Sequence, residues 1–294
     1  MIVLIKVSGI SKSLDSSNVL KDINLNIQKG HIFGLIGPNG AGKTTLIKII
    51  TGIWKADKGF VKFNNKEVFD NPDVKAKIAY VPDYCHYYDS YKVTDIIHMY
   101  SLSYSSFSKE KFNHLNTTFK VDAKKRISNL SKGTKTSLML MLNLCIMPKY
   151  LILDEPFSGL DAVVKRKIVE VLLEEVAENK TTVLLSTHNI SDVEHICDSI
   201  GIIKSGSIIF ESSVDETKKQ VRKFQVAFKR GVTKDFLDNT DIMNVEKMGN
   251  VHHLVTHNYS KDFEKRLKKI GTEHIEEISL SLEDILIYFL EGGK

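Results

Sequence analysis

The sequence predicts an α/β fold around a mostly parallel sheet, and three observations predict it. Short apolar runs recur along residues 2–203, helix-like stretches separate several of them, and a glycine-rich turn joins one run directly to one helix. In chain order the extended runs are Ile2–Val7, Asn24–Ile27, His31–Ile36, Gly59–Phe63, Ile78–Val81, Tyr150–Leu153, Thr182–Leu185 and Ile200–Ile203. Helices are expected at Lys43–Thr51, Ala162–Asn179 and Ile190–Cys197. Strands that are apolar at nearly every position must be covered on both faces, as a parallel sheet flanked by helices is.

The strand pattern vanishes between Tyr84 and Leu142, so a helical insertion is expected over about 84–142. Seven of the ten tyrosines fall between Tyr80 and Tyr104. Such a patch reads either as half-buried packing or as a docking surface, because aromatics are enriched at interfaces. After residue 213 the character changes again. A charged helix at Val214–Val221 and alternation in Lys223–Lys229 lead to strands at Val245–Met248 and His253–Thr256, then to helices at Lys261–Ile270 and Leu282–Leu290. Residues 1–213 are thus expected to form the main domain and 214–294 a small α+β domain.

Composition narrows the class. Hydrophobic residues make up 42% and charged residues 26%, an ordinary globular balance that argues against disorder. The longest apolar stretch, Leu138–Met147, is interrupted by Asn143 and stopped by Pro148, well short of the roughly 20 residues a membrane span needs. The start, Met1-Ile-Val-Leu-Ile-Lys6, reads as a strand rather than a secretory signal, so a cytosolic setting is expected. Cys85, Cys145 and Cys197 are widely spaced and read as small buried hydrophobes. The net charge is +5, and residues 215–294 hold 14 basic and 14 acidic groups, so the whole excess lies earlier in the chain. That excess suits anionic phosphates or a lipid surface, although a solvated face explains it as well.

Gly37-Pro38-Asn39-Gly40-Ala41-Gly42-Lys43-Thr44 fits G-x-x-x-x-G-K-[ST] and sits after one strand and before a helix, where its chemistry requires it. Glycines let consecutive N–H groups face one anion, and the helix N-terminus adds its positive dipole end. Lys43 then reaches the β- and γ-phosphates of ATP, and the Thr44 hydroxyl serves Mg2+, which demands oxygen ligands. Downstream, Tyr150-Leu-Ile-Leu-Asp154-Glu155 is a buried-strand pattern ending in two acids, at the sheet edge where α/β proteins bind ligands. Asp154 is expected to hold Mg2+ and Glu155 to polarise the attacking water; a cap on the turn at Pro156 is the plainer alternative.

With these residues the chain resembles the ATP-binding subunits of ABC transporters over about its first 213 residues. Five elements stand in family order: the phosphate loop Gly37 to Thr45, the signature Leu130-Ser131-Lys132-Gly133-Thr134, the strand ending Asp154-Glu155, the loop Ser158-Gly159-Leu160-Asp161, and His188 in Ser-Thr-His. The resemblance implies a phosphate-loop ABC-type ATPase core with a mostly parallel sheet and antiparallel β elements. It implies two copies facing head to tail, so that Ser131 and Gly133 of one meet the γ-phosphate held by Lys43 of the other. Read without the family, Leu-Ser-Lys-Gly is a helix cap. The resemblance also makes His188 the group that orients Glu155 and the water. Three departures stand out: Asp83 occupies the place of a glutamine that touches Mg2+ and water, Lys132 and Thr134 replace glycine and glutamine, and Leu14 stands where an aromatic stacks on adenine.

The resemblance points to a motor subunit of a membrane exporter with a separately encoded transmembrane permease, held at the cytoplasmic face of the membrane, with no nucleic acid expected. The signature variant, Asp83, the final helix Ser281–Leu290 and the small appendage resemble the subgroup that exports drugs, bacteriocins or toxic peptides. Two alternatives are a soluble ABC-type ATPase acting on DNA or ribosomes, whose coiled-coil insertion or doubled core is missing from the pattern, and a poorly hydrolysing nucleotide switch, motivated by Asp83 and Leu14. His252, His253 and His257 are read as packing rather than metal ligands, for want of carboxylates at a ligand spacing.

Overall fold

The computed structural model describes residues 3–15, 17–84, 89–228, 236 and 241–291; Ile2, which opens the first expected strand, lies outside them. The chain divides into two compact units, Met1–Glu211 and Ser212–Lys294.

In the first unit, β1 (Val3–Leu14) and β2 (Ser17–Gln28) form a long antiparallel hairpin. β4 (Lys58–Phe63) and β5 (Lys66–Glu67) extend it to a sheet of order β2-β1-β4-β5. Both hairpin strands outrun their expected lengths. The serine-rich end of β1 hides the pattern, yet Ser13 still pairs with Asn18, their side chains 2.7 Å apart. Ile5, Val7, Ile10, Leu20, Ile23, Leu25 and Ile27 are buried on the inner face.

The second sheet carries the parallel core, with order β10-β9-β3-β8-β7-β6. Its strands are β3 (Ile32–Ile36), β6 (Ile78–Val81), β7 (Tyr150–Asp154), β8 (Thr182–Thr187), β9 (Ser199–Lys204) and β10 (Ser207–Ser213). The run β9-β3-β8-β7-β6 is parallel throughout. Every residue of β3, β7 and β8 is buried, as a sheet covered on both faces requires. β10 was not expected; it follows the tight turn Ser205-Gly206, both residues at positive φ (50° and 81°), which suits a two-residue hairpin.

Helix α1 (Lys43–Ile50) follows β3, and the single turn α2 (Pro72–Lys75) precedes β6. Between β6 and β7 lie α3 (Val93–Ser103), α4 (Lys109–Phe119) and α5 (Lys132–Cys145), and α6 (Ala162–Asn179) follows β7. α5 continues past the expected limit at 142 because Asn143 does not break it. Its side-chain amide is buried and donates back to the Met139 carbonyl at 2.9 Å.

The helix expected at Ile190–Cys197 is corrected to a 3-10 turn, Ile190–Asp192, followed by looser turns. Ile190, Val193, Ile196 and Cys197 are buried at helical spacing, but the backbone closes mostly three-residue turns, Asp192 N to the Asn189 carbonyl, Val193 N to Ile190 and Ile196 N to Val193, and side chains tie the start of the segment. Thr187 Oγ1 accepts from Asn189 N at 3.0 Å, and Asp192 is held by Lys165 Nζ at 3.0 Å.

In the second unit, α7 (Val214–Gln220) precedes a four-stranded sheet made of β11 (Arg222–Phe228), β12 (Ile242–Met248), β13 (Val251–Thr256) and β14 (Thr272–Ile278). α8 (Lys261–Lys269) crosses from β13 to β14, and α9 (Leu282–Glu291) ends the described chain. The order β12-β13-β11-β14, antiparallel at every pairing, is that of a split β-α-β sheet. Phe224, Val226 and Phe228 cluster with Phe263 and Leu267 of α8, while Val221 and Val255 cluster with Ile285 of α9. β14 escaped the sequence reading because it is an acidic edge strand, Thr-Glu-His-Ile-Glu-Glu-Ile, with apolar residues only at Ile275 and Ile278. His252 is packed against the Phe228 ring at 5.2 Å, and burial, with Lys247 nearby, holds its imidazole below the usual range.

Candidate active site

Strand order brings the chemistry together. β3, β8, β7 and β6 are parallel neighbours, in register Ile36 to Thr187, Asp154 to Ser186 and Val81 to Leu153. Their carboxyl ends therefore deliver the phosphate loop, His188, Asp154-Glu155 and Asp83 to one edge of the sheet.

A cleft of about 300 Å³ at this edge is lined by Val19, Asn39, Gly40, Gly42, Lys43, Thr44, Thr45, Asp83 and Glu155. The loop needs its glycines. A Cβ on Gly37 would lie 2.4 Å from the Ile203 carbonyl oxygen, and Gly42 sits at φ 107° where a Cβ would strike Leu20. Pro38 and Ala41 shape the turn between them, with Ala41 N donating to the Pro38 carbonyl at 3.2 Å. α1 starts at Lys43 with no side-chain cap, which leaves its first N–H groups to an anion.

Lys43 is 6% exposed and its Nζ donates to the Gly37 carbonyl at 2.7 Å and to Pro38 at 3.3 Å. The same Nζ stands 3.1 Å from Glu155 Oε1, an ion pair without the alignment of a hydrogen bond. Glu155 Oε2 meets His188 twice, accepting from the backbone N–H at 3.3 Å and lying 2.8 Å from ring Nδ1. Glu155 adopts the left-handed region at φ 50°, a position that costs a non-glycine residue about 1–2 kcal/mol. Ser186 holds it there: the Glu155 N–H reaches the Ser186 carbonyl at 3.2 Å and the Ser186 hydroxyl at 3.0 Å.

Asp154 is 2% exposed and accepts from Ser186 Oγ at 2.6 Å. Burial pushes its carboxyl above the usual range; hydrogen bonds from Ser186 and Thr44 oppose the shift, and the charges of Glu155 and Asp83 add to it. Thr44 hydrogen-bonds Asp154, and Asp83 and Glu155 line the same cleft, so the oxygen donors near Thr44 are of the type Mg2+ prefers. Among the described residues no three His, Cys, Asp or Glu side chains converge as a metal-holding group.

Two of the expected contacts are not in this cleft. Ser131 caps α5, its Oγ accepting from Thr134 N at 3.2 Å, and neither Ser131 nor Gly133 lines the cleft that holds Lys43. Leu14 pairs with Ser17 at the end of the first hairpin, and the cleft takes its aliphatic side from Val19 instead. Asp83 does line the cleft, and its Oδ1 also lies 3.9 Å from Nζ of the signature lysine, Lys132. Sequence reasoning missed Val19 and Ser186. The signal for Ser186 was present: a hydroxyl following three apolar residues, fully buried because β8 runs two residues further than expected.

The family model described as ABC transporter matches residues 20–158. Along nearly its whole length the chain is similar to the ABC transporter ATP-binding protein YtrB of Bacillus subtilis, 31% identical over 291 residues covering 99% of each. The chain belongs to the ABC transporter ATP-binding proteins. As an ABC ATPase it binds and hydrolyses ATP, and it is also 31% identical to the lantibiotic transport ATP-binding protein SrtF of Streptococcus pyogenes, over 77% of this chain and 99% of that one. A solved ATP-binding subunit of an ABC transporter matches 74% of this chain and 92% of its own, with TM-score 0.67 and 28% identity. That share is close to the extent of the first unit of this ABC protein.

Proposed function

We propose that this ABC ATPase drives export through a separately encoded transmembrane permease, working as two copies arranged head to tail at the cytoplasmic face of a membrane. The observation that carries the paired arrangement is the incomplete cleft. Lys43, Thr44, Asp154, Glu155 and His188 gather at one sheet edge, while Ser131 and Gly133, at the start of α5, stand outside it. A second copy supplies a hydroxyl and a helix N-terminus to the γ-phosphate, closing the site only when both chains are loaded. The similarity to SrtF supports antimicrobial peptides or related amphiphiles as cargo. No helix among the described residues is long and apolar enough to cross a membrane, and the path for cargo therefore belongs to the partner.

Within the closed site the phosphate loop and Lys43 hold the triphosphate, and Glu155 orients the water that attacks the γ-phosphorus in line. His188 acts as a positioning residue through its contact with Glu155 Oε2. Mg2+, held by Thr44 and Asp154 with Asp83 within reach, would neutralise charge building on the β- and γ-oxygens. Recovery from membranes tests the reading: the chain is expected in the membrane fraction only when its hydrophobic partner is co-expressed. Recovery with DNA or ribosomes would instead support the soluble-ATPase alternative.

A further inference from the structure

Around residues 48–75 aromatic and basic groups meet on the surface of the first unit. Four lysines lie over aromatic rings: Lys48 over Trp54 at 4.4 Å, Lys62 over Phe60 at 4.4 Å, and Lys55 and Lys75 over Phe69 at 5.5 and 5.7 Å. Phe60 and Phe69 are exposed, and Ile53 beside Trp54 is 53% exposed. Trp54, Lys55, Phe60 and Phe69 rim one groove of about 260 Å³ with an apolar floor that includes Ile49 and Val68. The local order is set by β4, where Phe60 and Lys62 alternate outward while Val61 and Phe63 point into the core.

Charge says what fits the groove. Residues 48–75 hold six lysines against four acids. One of those acids, Asp57, is committed to Lys12 and to the Ser13 N–H, and its carboxyl is held below the usual range by those bonds. Glu67 and Asp70 line the groove, but among the described residues none of the four ring-stacked lysines is in an ion pair. A protein-facing patch would be drier and less basic at its centre. Aromatic rings at the level of headgroups, with lysines to meet their charge, are the pattern of a lipid interface.

We infer that this groove and its lysine–aromatic rim contact the anionic phosphate headgroups of a membrane surface, with the apolar floor receiving the upper part of an acyl chain. The groove shares no lining residue with the nucleotide cleft, and its contact with lipid is tested on the purified chain without the transport reading. It gives the ATPase a lipid-dependent hold of its own beside the grip of a partner.

Trp54 is the single tryptophan of the chain, which makes the patch self-reporting. The purified full chain is mixed with phosphatidylcholine vesicles, with and without phosphatidylglycerol, and followed by flotation and by quenching of Trp54 with spin-labelled lipid. The expected result is flotation and quenching only with phosphatidylglycerol, weakened by salt. The triple variant Lys55→Glu, Lys62→Glu, Lys75→Glu should bind at least tenfold more weakly while retaining normal ATP turnover, which also certifies its fold. Equal binding to uncharged vesicles, binding without Trp54 quenching, absence of binding, or full binding by the triple variant would each overturn the assignment. Displacement of the bound chain by soluble glycerophosphate at vesicle-phosphate concentration would overturn it too, since a free phosphate site needs no surface.

Discussion

Lys43 Nζ lies 3.1 Å from Glu155 Oε1, so the cation proposed for phosphate and the carboxylate proposed for water form an ion pair at the cleft. On the proposed roles the two side chains are coupled, and a change at either one is expected to be felt at the other.

Among the described residues that line the cleft Lys43 is the one cation, and replacing it with Ala removes that charge. A charge-assisted contact contributes about 1.5–3 kcal/mol, which corresponds to a loss of at least tenfold in ATP affinity. Titration with a fluorescent ATP analogue checks it, and near-native turnover would remove Lys43 from the site.

Glu155→Gln keeps the shape of the side chain, releases Lys43 and loses the basic oxygen. ATP affinity should hold or rise while turnover falls by about 10²–10⁴-fold, the usual contribution of a positioned base. With ATP and Mg2+ the variant should accumulate as a dimer on size exclusion. A variant that stays monomeric at saturating ATP, even beside its permease, argues against the paired site.

Burial pushes the Asp154 carboxyl above its usual range, so it binds its proton more tightly folded than unfolded. Such a group contributes stability below its unfolded pKa and loses that contribution as pH rises through the higher folded value. Asp154→Asn, which cannot ionise, should therefore raise the melting temperature near neutral pH without Mg2+, and the gain should shrink as pH falls into the carboxylate range. A gain that grows on acidification would contradict the sign.

Base discrimination should be weak, because Val19 offers the cleft an aliphatic contact rather than a ring for stacking. GTP is expected to compete with ATP to within about one order of magnitude, or about 1.4 kcal/mol. An aromatic at Val19 should tighten ATP binding more than Leu14→Tyr does. The reverse ranking in competition titrations would return the adenine contact to Leu14.

The tyrosine-rich segment gives a coupling test. Tyr84 and Tyr91 are 61% and 46% exposed, while Tyr87 and Tyr88 lie outside the described residues. If this segment meets the permease, alanine at Tyr84 and Tyr91 should reduce transport while nucleotide affinity stays the same. Unchanged transport would assign the two rings to packing.

Much of this was legible in the chain itself. The buried strands β3, β7 and β8 announce themselves because both faces are apolar, and the phosphate loop does so because few other sequences place Gly, Lys and Thr between such a strand and a helix. Harder to read were elements governed by one-sided or polar contacts: β14, acidic at a sheet edge, and the 3-10 turn at Ile190, whose apolar spacing imitates a helix while its start is tied by the Thr187 hydroxyl and its backbone closes shorter turns. The link from Lys43 to Glu155 was out of reach, since 112 positions separate them and only the register of parallel neighbours brings them together.

The open cleft of a lone chain also sets how ATP use responds to copy number. On the paired reading, a subunit without a counterpart retains its nucleotide and consumes none. Well below the concentration at which pairs form, turnover then rises with the square of subunit concentration rather than in proportion to it. Halving the amount of protein would cut hydrolysis about fourfold, which follows from mass action alone. On that reading stray subunits away from the proposed permease would stay nearly silent, and fuel would be burned chiefly where pairs are gathered.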